Sequence, residues 1–228
     1  MLTKPIPSTN EPLPVIGLGT WQTFDVGGDV DARSRLRTVI EELAGVGGAM
    51  IDSSPMYGSA EQVVGDLVAG LHARERFFLA TKVWTTGRAK GIAEMNDSMR
   101  KMRADPADLM QVHNLVDVDT HLDTLEEWKA AGRVRYTGIT HYTASAHEAV
   151  VRVLERRRVD FVQINYSVAE PEAERTVLPA AQDRGIAVIA NRPFATGDLL
   201  RRLAKRPLPG FAADLACRTW AELLLKFV

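Results

Sequence analysis

Four side chains in this sequence of 228 residues are of types and spacing that could move a proton. Asp52 and Tyr57 stand five residues apart in I-D-S-S-P-M-Y-G-S-A-E; Lys82 lies in A-T-K-V-W and His113 in Q-V-H-N. Each motif closes an apolar run of strand length, so four polar groups sit on three consecutive strand ends. A phenol is a weak acid at neutral pH unless a cation stabilises its phenolate. Lys82 is the expected cation, and Asp52 would hold the lysine charged and oriented. His113 could hydrogen-bond a carbonyl oxygen and polarise it. Together these groups would protonate an oxygen while another species attacks carbon. No residue is an obvious nucleophile: there is no G-x-S-x-G elbow, and Cys217, the single cysteine, falls in a helical stretch. The attacking species should therefore come from a cofactor, most simply as hydride from a nicotinamide.

Each residue has an ordinary alternative role. Asp52 could cap a helix, Tyr57 could be a half-buried core aromatic, Lys82 a surface charge and His113 a satisfied strand-end histidine. Their joint placement favours the site. A metal centre is not expected, because His72, His121, His141 and His147 show no ligand spacing. G-L-G-T-W-Q and G-V-G-G-A-M both lack the third glycine of a dinucleotide fingerprint, which argues against a Rossmann domain. Lys82 as a Schiff base would explain the lysine but leave Tyr57 and His113 idle.

The elements that must position these groups alternate regularly. V-I-G-L-G-T-W reads as a short strand, with Trp21 at its upper end. Leu36, Val39, Ile40 and Leu43 predict a helix over 31–44, which G-V-G-G turns into strand A-M-I-D. Ser59 is the expected N-cap of a helix that buries Val63, Val64, Leu67 and Val68. Strand F-F-L-A-T-K-V is followed by a helix over 92–102, L-M-Q-V-H by one over 120–131, and V-R-Y-T-G-I-T by one over 145–157. F-V-Q-I-N-Y-S leads to a helix over 174–183, and I-A-V-I-A-N to a loop containing proline and glycine. The last helix is read as 213–228, with Cys217 inside it as a buried small residue.

That is seven strands, each apolar enough to be covered on both faces. The expected fold is α/β, a (β/α)8 TIM barrel of which seven β/α units are present, forming a single domain over 1–228. An eighth strand and helix are missing from the pattern, so more chain is expected to exist. The proline-bearing lead-in, M-L-T-K-P-I-P-S-T-N-E-P, should be extended.

With 28 basic and 29 acidic residues, the composition favours neither nucleic acid nor a membrane surface as partner; Arg156 to Arg158 read as a solvated helix end. No apolar run approaches membrane-spanning length, and the amino terminus has no signal-peptide core. One cysteine permits no internal disulfide. A cytoplasmic location is the expectation.

The motifs G-L-G-T-W, I-D-S-S-P-M-Y-G-S-A-E, A-T-K-V-W, Q-V-H-N, G-I-T-H-Y, F-V-Q-I-N-Y and R-P-F-A-T-G-D-L, in this order, resemble those of aldo-keto reductases. The resemblance implies reduction of an aldehyde or ketone with NADPH. It places Asp52, Tyr57, Lys82 and His113 on the family's catalytic tetrad, with Tyr57 as general acid. It puts Gln163 on the residue that holds the nicotinamide carboxamide and the loop from Pro193 to Leu199 over the pyrophosphate, with Phe194 and Gly197 inside that loop. Gly19, Thr20, Trp21, Asp52, Thr140, His141, Asn191 and Arg192 complete the implied cofactor site. Thr140 and His141 replace the usual Ser-Asn, and Asn191 replaces an aromatic that stacks on the nicotinamide. No part of the chain matches the family's basic residues for the adenosine 2'-phosphate, so NADPH rests on resemblance alone. Trp21, Met56, Trp84 and His113 would line the pocket for a small carbonyl substrate. A non-enzymatic nicotinamide-binding regulatory barrel is the rival reading.

Overall fold

The computed structural model describes residues 1–228, which divide into two compact units: Met1–Thr140 with Arg158–Phe161, and His141–Arg157 with Val162–Val228.

The first unit opens on a hairpin, not a straight lead-in. β1 (Thr3–Pro5) and β2 (Pro12–Pro14) pair antiparallel, and the turn between them closes as Ile6 accepts the Asn10 amide on its carbonyl. Five parallel strands follow, interleaved with helices: β3 (Gly17–Gly19), α1 (Val30–Gly45), β4 (Ala49–Asp52), α2 (Ala60–Gly70), β5 (Phe77–Val83), α3 (Arg88–Met102), β6 (Ala107–His113), α4 (Val118–Ala130) and β7 (Val134–Thr140). The strands lie side by side in sequence order.

Side chains alternate along each strand, so residue parity decides which face each one serves. Phe77 and Leu79 of β5 and Ile51 of β4 join Ile40, Val63, Val64, Leu67, Val68 and Met102 in one apolar cluster against the helices. Each fully buried side chain of this size contributes about 1.5 to 3 kcal/mol. The opposite parity carries Phe78 and Lys82 on β5, Gln111 and His113 on β6, and Tyr136 and Thr140 on β7. At one end of that face the rings of Phe78, Tyr136 and Phe161 pack with centroids 5.6 to 5.8 Å apart. At the other end the polar residues gather. Register puts Lys82 opposite Gln111 and His113 opposite Thr140.

The anticipated G-V-G-G turn is built as expected. Gly48 has φ +88°, and a Cβ there would stand 1.8 Å from the Arg76 carbonyl oxygen, so only glycine lets the chain enter β4. Ser59 occupies the N-cap position of α2, but its hydroxyl does not cap. It donates to Asp25 Oδ1 at 2.8 Å and accepts from the Gly27 amide at 2.8 Å, tying the loop after β3 to the start of α2. The hairpin is secured by Glu11, which accepts from Tyr136 Oη and from Arg135, both at 2.5 Å. Burial raises the Glu11 pKa, but the Tyr136 and Arg135 hydrogen bonds outweigh it and hold the carboxyl below its ordinary value.

The second unit contains α5 (His147–Arg156), β8 (Phe161–Asn165) from Val162 onward, α6 (Val177–Asp183), β9 (Ala187–Asn191), α7 (Asp198–Leu203) and α8 (Trp220–Phe227). The helix expected over 174–183 is broken: a 3-10 turn spans Glu172–Arg175, and Thr176 leaves the helical region at φ -135°, ψ -77°. The final helix is shorter than expected. Ala216 is left-handed at φ 54°, and Cys217 is buried in the turn before the helix rather than inside it. Thr219 then starts α8 with a capping box: its hydroxyl accepts from the Glu222 amide at 3.1 Å, and Glu222 Oε2 accepts from the Thr219 amide at 3.0 Å. No helix of the chain is long and apolar enough to cross a membrane.

Candidate active site

All four proton-transfer candidates lie in the first unit, and the structure brings them together. Lys82 is only 1% exposed. Its ammonium donates to both oxygens of Asp52 at 2.7 Å and to the Ser53 carbonyl at 2.7 Å, which accounts for its three protons. The nitrogen stands 5.4 Å from the centre of the Tyr57 ring. The Tyr57 and His113 rings meet edge to face with centroids 6.0 Å apart, and Trp84 tilts against His113 at 6.4 Å. A surface role for Lys82 and a capping role for Asp52 are thereby excluded.

These positions follow from local chemistry. Asp52 ends β4, and the backbone beyond it is held by Thr20, whose amide and hydroxyl both donate to the Asp52 carbonyl at 3.1 and 3.0 Å. Ser54, Pro55, Met56 and Tyr57 then form a turn in which the Tyr57 amide donates to the Ser54 carbonyl at 3.0 Å. Serine at the first position and proline at the second are the residues such a turn favours. The turn presents Tyr57 directly before α2.

The electrostatics differ from expectation in one respect. The lysine was expected to make the phenol more acidic. Instead, burial and the neighbouring Asp52 carboxylate together push the Tyr57 pKa well above its ordinary value. Two causes act in the same direction: desolvation of the buried ring is the larger and the Asp52 carboxylate the smaller, and both disfavour the phenolate. Tyr57 is therefore held protonated.

Two groups at the site escaped sequence reasoning. Gln111 Nε2 donates to Asp52 Oδ1 at 3.3 Å. Its signal was available, since Gln111 lies two residues before His113 on one strand and so shares its face. Ser54 Oγ lies 3.0 Å from His113 Nδ1, and both are buried. No spacing rule links residues so far apart in sequence.

The pocket candidates Trp21, Met56 and Trp84 are all exposed, at 54%, 40% and 43%, and Trp84 in addition packs against His113. Gly19 is exposed at the end of β3, and Thr20 is buried, hydrogen-bonded to Ser53 Oγ as well as to the Asp52 carbonyl. Thr140 is buried at the end of β7. The other cofactor candidates lie in the second unit. Gln163 is buried on β8, and its carbonyl accepts from the His141 amide at 3.0 Å. Asn191 ends β9, where its carbonyl accepts from the Tyr166 amide at 3.2 Å. Arg192 follows with φ 57° and donates to the Tyr142 carbonyl at 3.1 Å, while Glu170 Oε1 lies 4.0 Å from Arg192 Nη2. Pro193 and Phe194 form a turn, Gly197 takes φ +87°, and Leu199 lies in α7, its amide bonded to the Phe194 carbonyl.

Comparison with known proteins gives a consistent result. A sequence profile of the aldo/keto reductase family matches residues 15–222. The methylglyoxal reductase YeaE of Escherichia coli is 29% identical over 225 residues, covering 95% of this chain and 77% of that protein. The aldo-keto reductase YhdN of Bacillus subtilis is 27% identical, with 83% of this chain matched; the match spans 61% of the longer relative. Among solved structures, an aldo/keto reductase from Klebsiella pneumoniae in complex with NADP and acetate superposes with a TM-score of 0.78 at 26% identity, covering 96% of this chain and 78% of that one. The α/β barrel fold expected from the strand-helix alternation is therefore the fold of this chain.

Proposed function

Because the chain belongs to the aldo/keto reductase family, we propose that it reduces an aldehyde or ketone to an alcohol, with NADPH bound as the hydride donor. The observation that carries this reading is the buried Lys82–Asp52 pair beside Tyr57, with His113 against the same ring. When bound, the nicotinamide supplies two electrons and one hydrogen to the carbonyl carbon.

This chain's own residues handle the proton. His113 donates a hydrogen bond to the carbonyl oxygen and stabilises charge as it develops there. Tyr57 then delivers its proton to that oxygen. The raised phenol pKa keeps Tyr57 protonated at neutral pH, so it has a proton to give, and the cation beside the ring is what eases its release. Lys82 stabilises the phenolate left behind, and Asp52 keeps the lysine fixed at the ring.

The cofactor candidates of the second unit fit such a ligand. Asn191 Oδ1 and Arg192 Nε are buried with no hydrogen-bond partner in the protein. A carboxamide N–H would satisfy the first and a phosphate oxygen the second. Small dicarbonyls of the kind named for the Escherichia coli relative are the first substrates to try. Trp21, Met56 and Trp84 would give the pocket apolar walls.

Turnover of NADPH with a panel of carbonyl compounds tests the function, and Tyr57→Phe tests the mechanism. The variant should lose about 10²- to 10⁴-fold in kcat while binding NADPH with nearly unchanged affinity. Full activity in Tyr57→Phe would remove the phenol from the reaction, and a wild type that oxidises NADPH with no carbonyl on the panel would overturn the function itself.

A further inference from the structure

We infer that Ser54 is a positioning residue that fixes the protonation pattern of His113 and ties it to the turn bearing Tyr57. The inference rests on the carbonyl-reductase reading above and extends it to a residue outside the four proton-transfer groups.

Ser54 is fully buried and engaged on both sides. Its carbonyl accepts from the Tyr57 amide at 3.0 Å, which closes the turn presenting the phenol. Its hydroxyl oxygen accepts from the Met56 amide at 3.4 Å, a local serine turn within the first. The same hydroxyl lies 3.0 Å from His113 Nδ1. A serine hydroxyl has one proton to give. Ser54 is buried and His113 Nδ1 is the one acceptor its hydroxyl reaches, so the hydroxyl proton is directed at Nδ1 while the oxygen accepts from the Met56 amide. Nδ1 then acts as acceptor, and the neutral imidazole carries its proton on Nε2. That tautomer has a ring N–H to offer a carbonyl oxygen, as the proposed role of His113 requires.

The geometry also explains why a serine serves at this position. Alanine could form the same turn through its carbonyl but would leave Nδ1 without this hydroxyl. The Tyr57 and His113 rings, 6.0 Å apart at 86°, come from different strand ends. Ser54 bonds directly to both the turn of one and the ring of the other.

The test separates this inference from the function it builds on. Nitrogen-15 NMR of the imidazoles in the cofactor-free protein reads the His113 tautomer directly, without any turnover. In the wild type His113 should be protonated on Nε2 at pH 8, and in Ser54→Ala it should shift toward a mixture of tautomers. Ser54→Thr, which keeps the hydroxyl, should restore the wild-type pattern. With a carbonyl substrate accepted by the wild type, Ser54→Ala should lose about tenfold in kcat, in keeping with removal of one hydrogen bond to a reacting group, with KM for NADPH little changed. A wild-type His113 protonated on Nδ1, or unchanged His113 shifts in Ser54→Ala, would overturn the inference. Absence of turnover in the wild type would refute the function and leave the NMR result to decide the role of Ser54. If Ser54→Thr is overpacked and fails to fold, Ser54→Ala alone still decides through its nitrogen shifts.

Discussion

Lys82→Met should destabilise the protein strongly. The magnitude follows from what the ammonium holds. Lys82 is 1% exposed and bonded at 2.7 Å to three oxygens, two of them on Asp52, whose side chain is 13% exposed. Methionine retains most of the aliphatic volume, so the cavity contribution is small. What remains is a carboxylate stripped of its partner in a largely desolvated place, a loss of about 3 to 5 kcal/mol. For a chain of this size that corresponds to a drop of about 6 to 20 °C in Tm. With typical total stabilities of about 5 to 15 kcal/mol, the variant should remain mostly folded at low temperature. Urea unfolding followed by tryptophan fluorescence measures the change. The companion variant Asp52→Asn with Lys82→Met removes both charges and should recover more than half of the loss, because the penalty lies in the stranded charge rather than in the missing pair. The reasoning fails if Lys82→Met loses less than about 1 kcal/mol, or if the double variant is no more stable than the single one.

Glu61 is buried beside Thr81, whose hydroxyl donates to it at 2.5 Å, and burial pushes its pKa above the ordinary 4.5 despite that bond. The folded state thus holds this proton more tightly than the unfolded one, so Glu61 should contribute a loss of stability as pH rises from about 4.5 through the folded value. Glu61→Gln should abolish that slope and gain on the wild type at neutral pH; urea midpoints of the two that run parallel from pH 4 to 8 would reject this. Thr219→Ala should remove half of the capping box of α8 and cost that helix about 0.5 to 2 kcal/mol, seen as faster amide exchange over 220–227 with the exchange of α2 unchanged. Equal exchange rates in α8 would show that the cap does not hold the helix.

The strand-helix alternation and the four proton-transfer candidates were legible because both are written in short-range patterns. An apolar run of five to seven residues closed by one polar side chain marks a strand end. Side-chain parity then sends Lys82, Gln111 and His113 to one face. The start of α8 was missed: the apolar spacing from Leu215 onward suits a helix read from 213, but the left-handed Ala216 interrupts it and the Thr219–Glu222 capping box starts the helix later.

Other features depended on distances that no local pattern contains. Ser54 and His113 are 59 residues apart and meet only because the turn after β4 folds over the end of β6. The direction of the Tyr57 pKa was decided in the same way. Residue types alone placed a lysine near a phenol and implied a stronger acid. In the folded chain Asp52 grips that lysine with both oxygens and stands close enough to the ring to add its own charge to the effect of burial, and both raise the phenol. Sequence determines which charges are present; the net field at an atom depends on their separations, which arise only when the strands are in register.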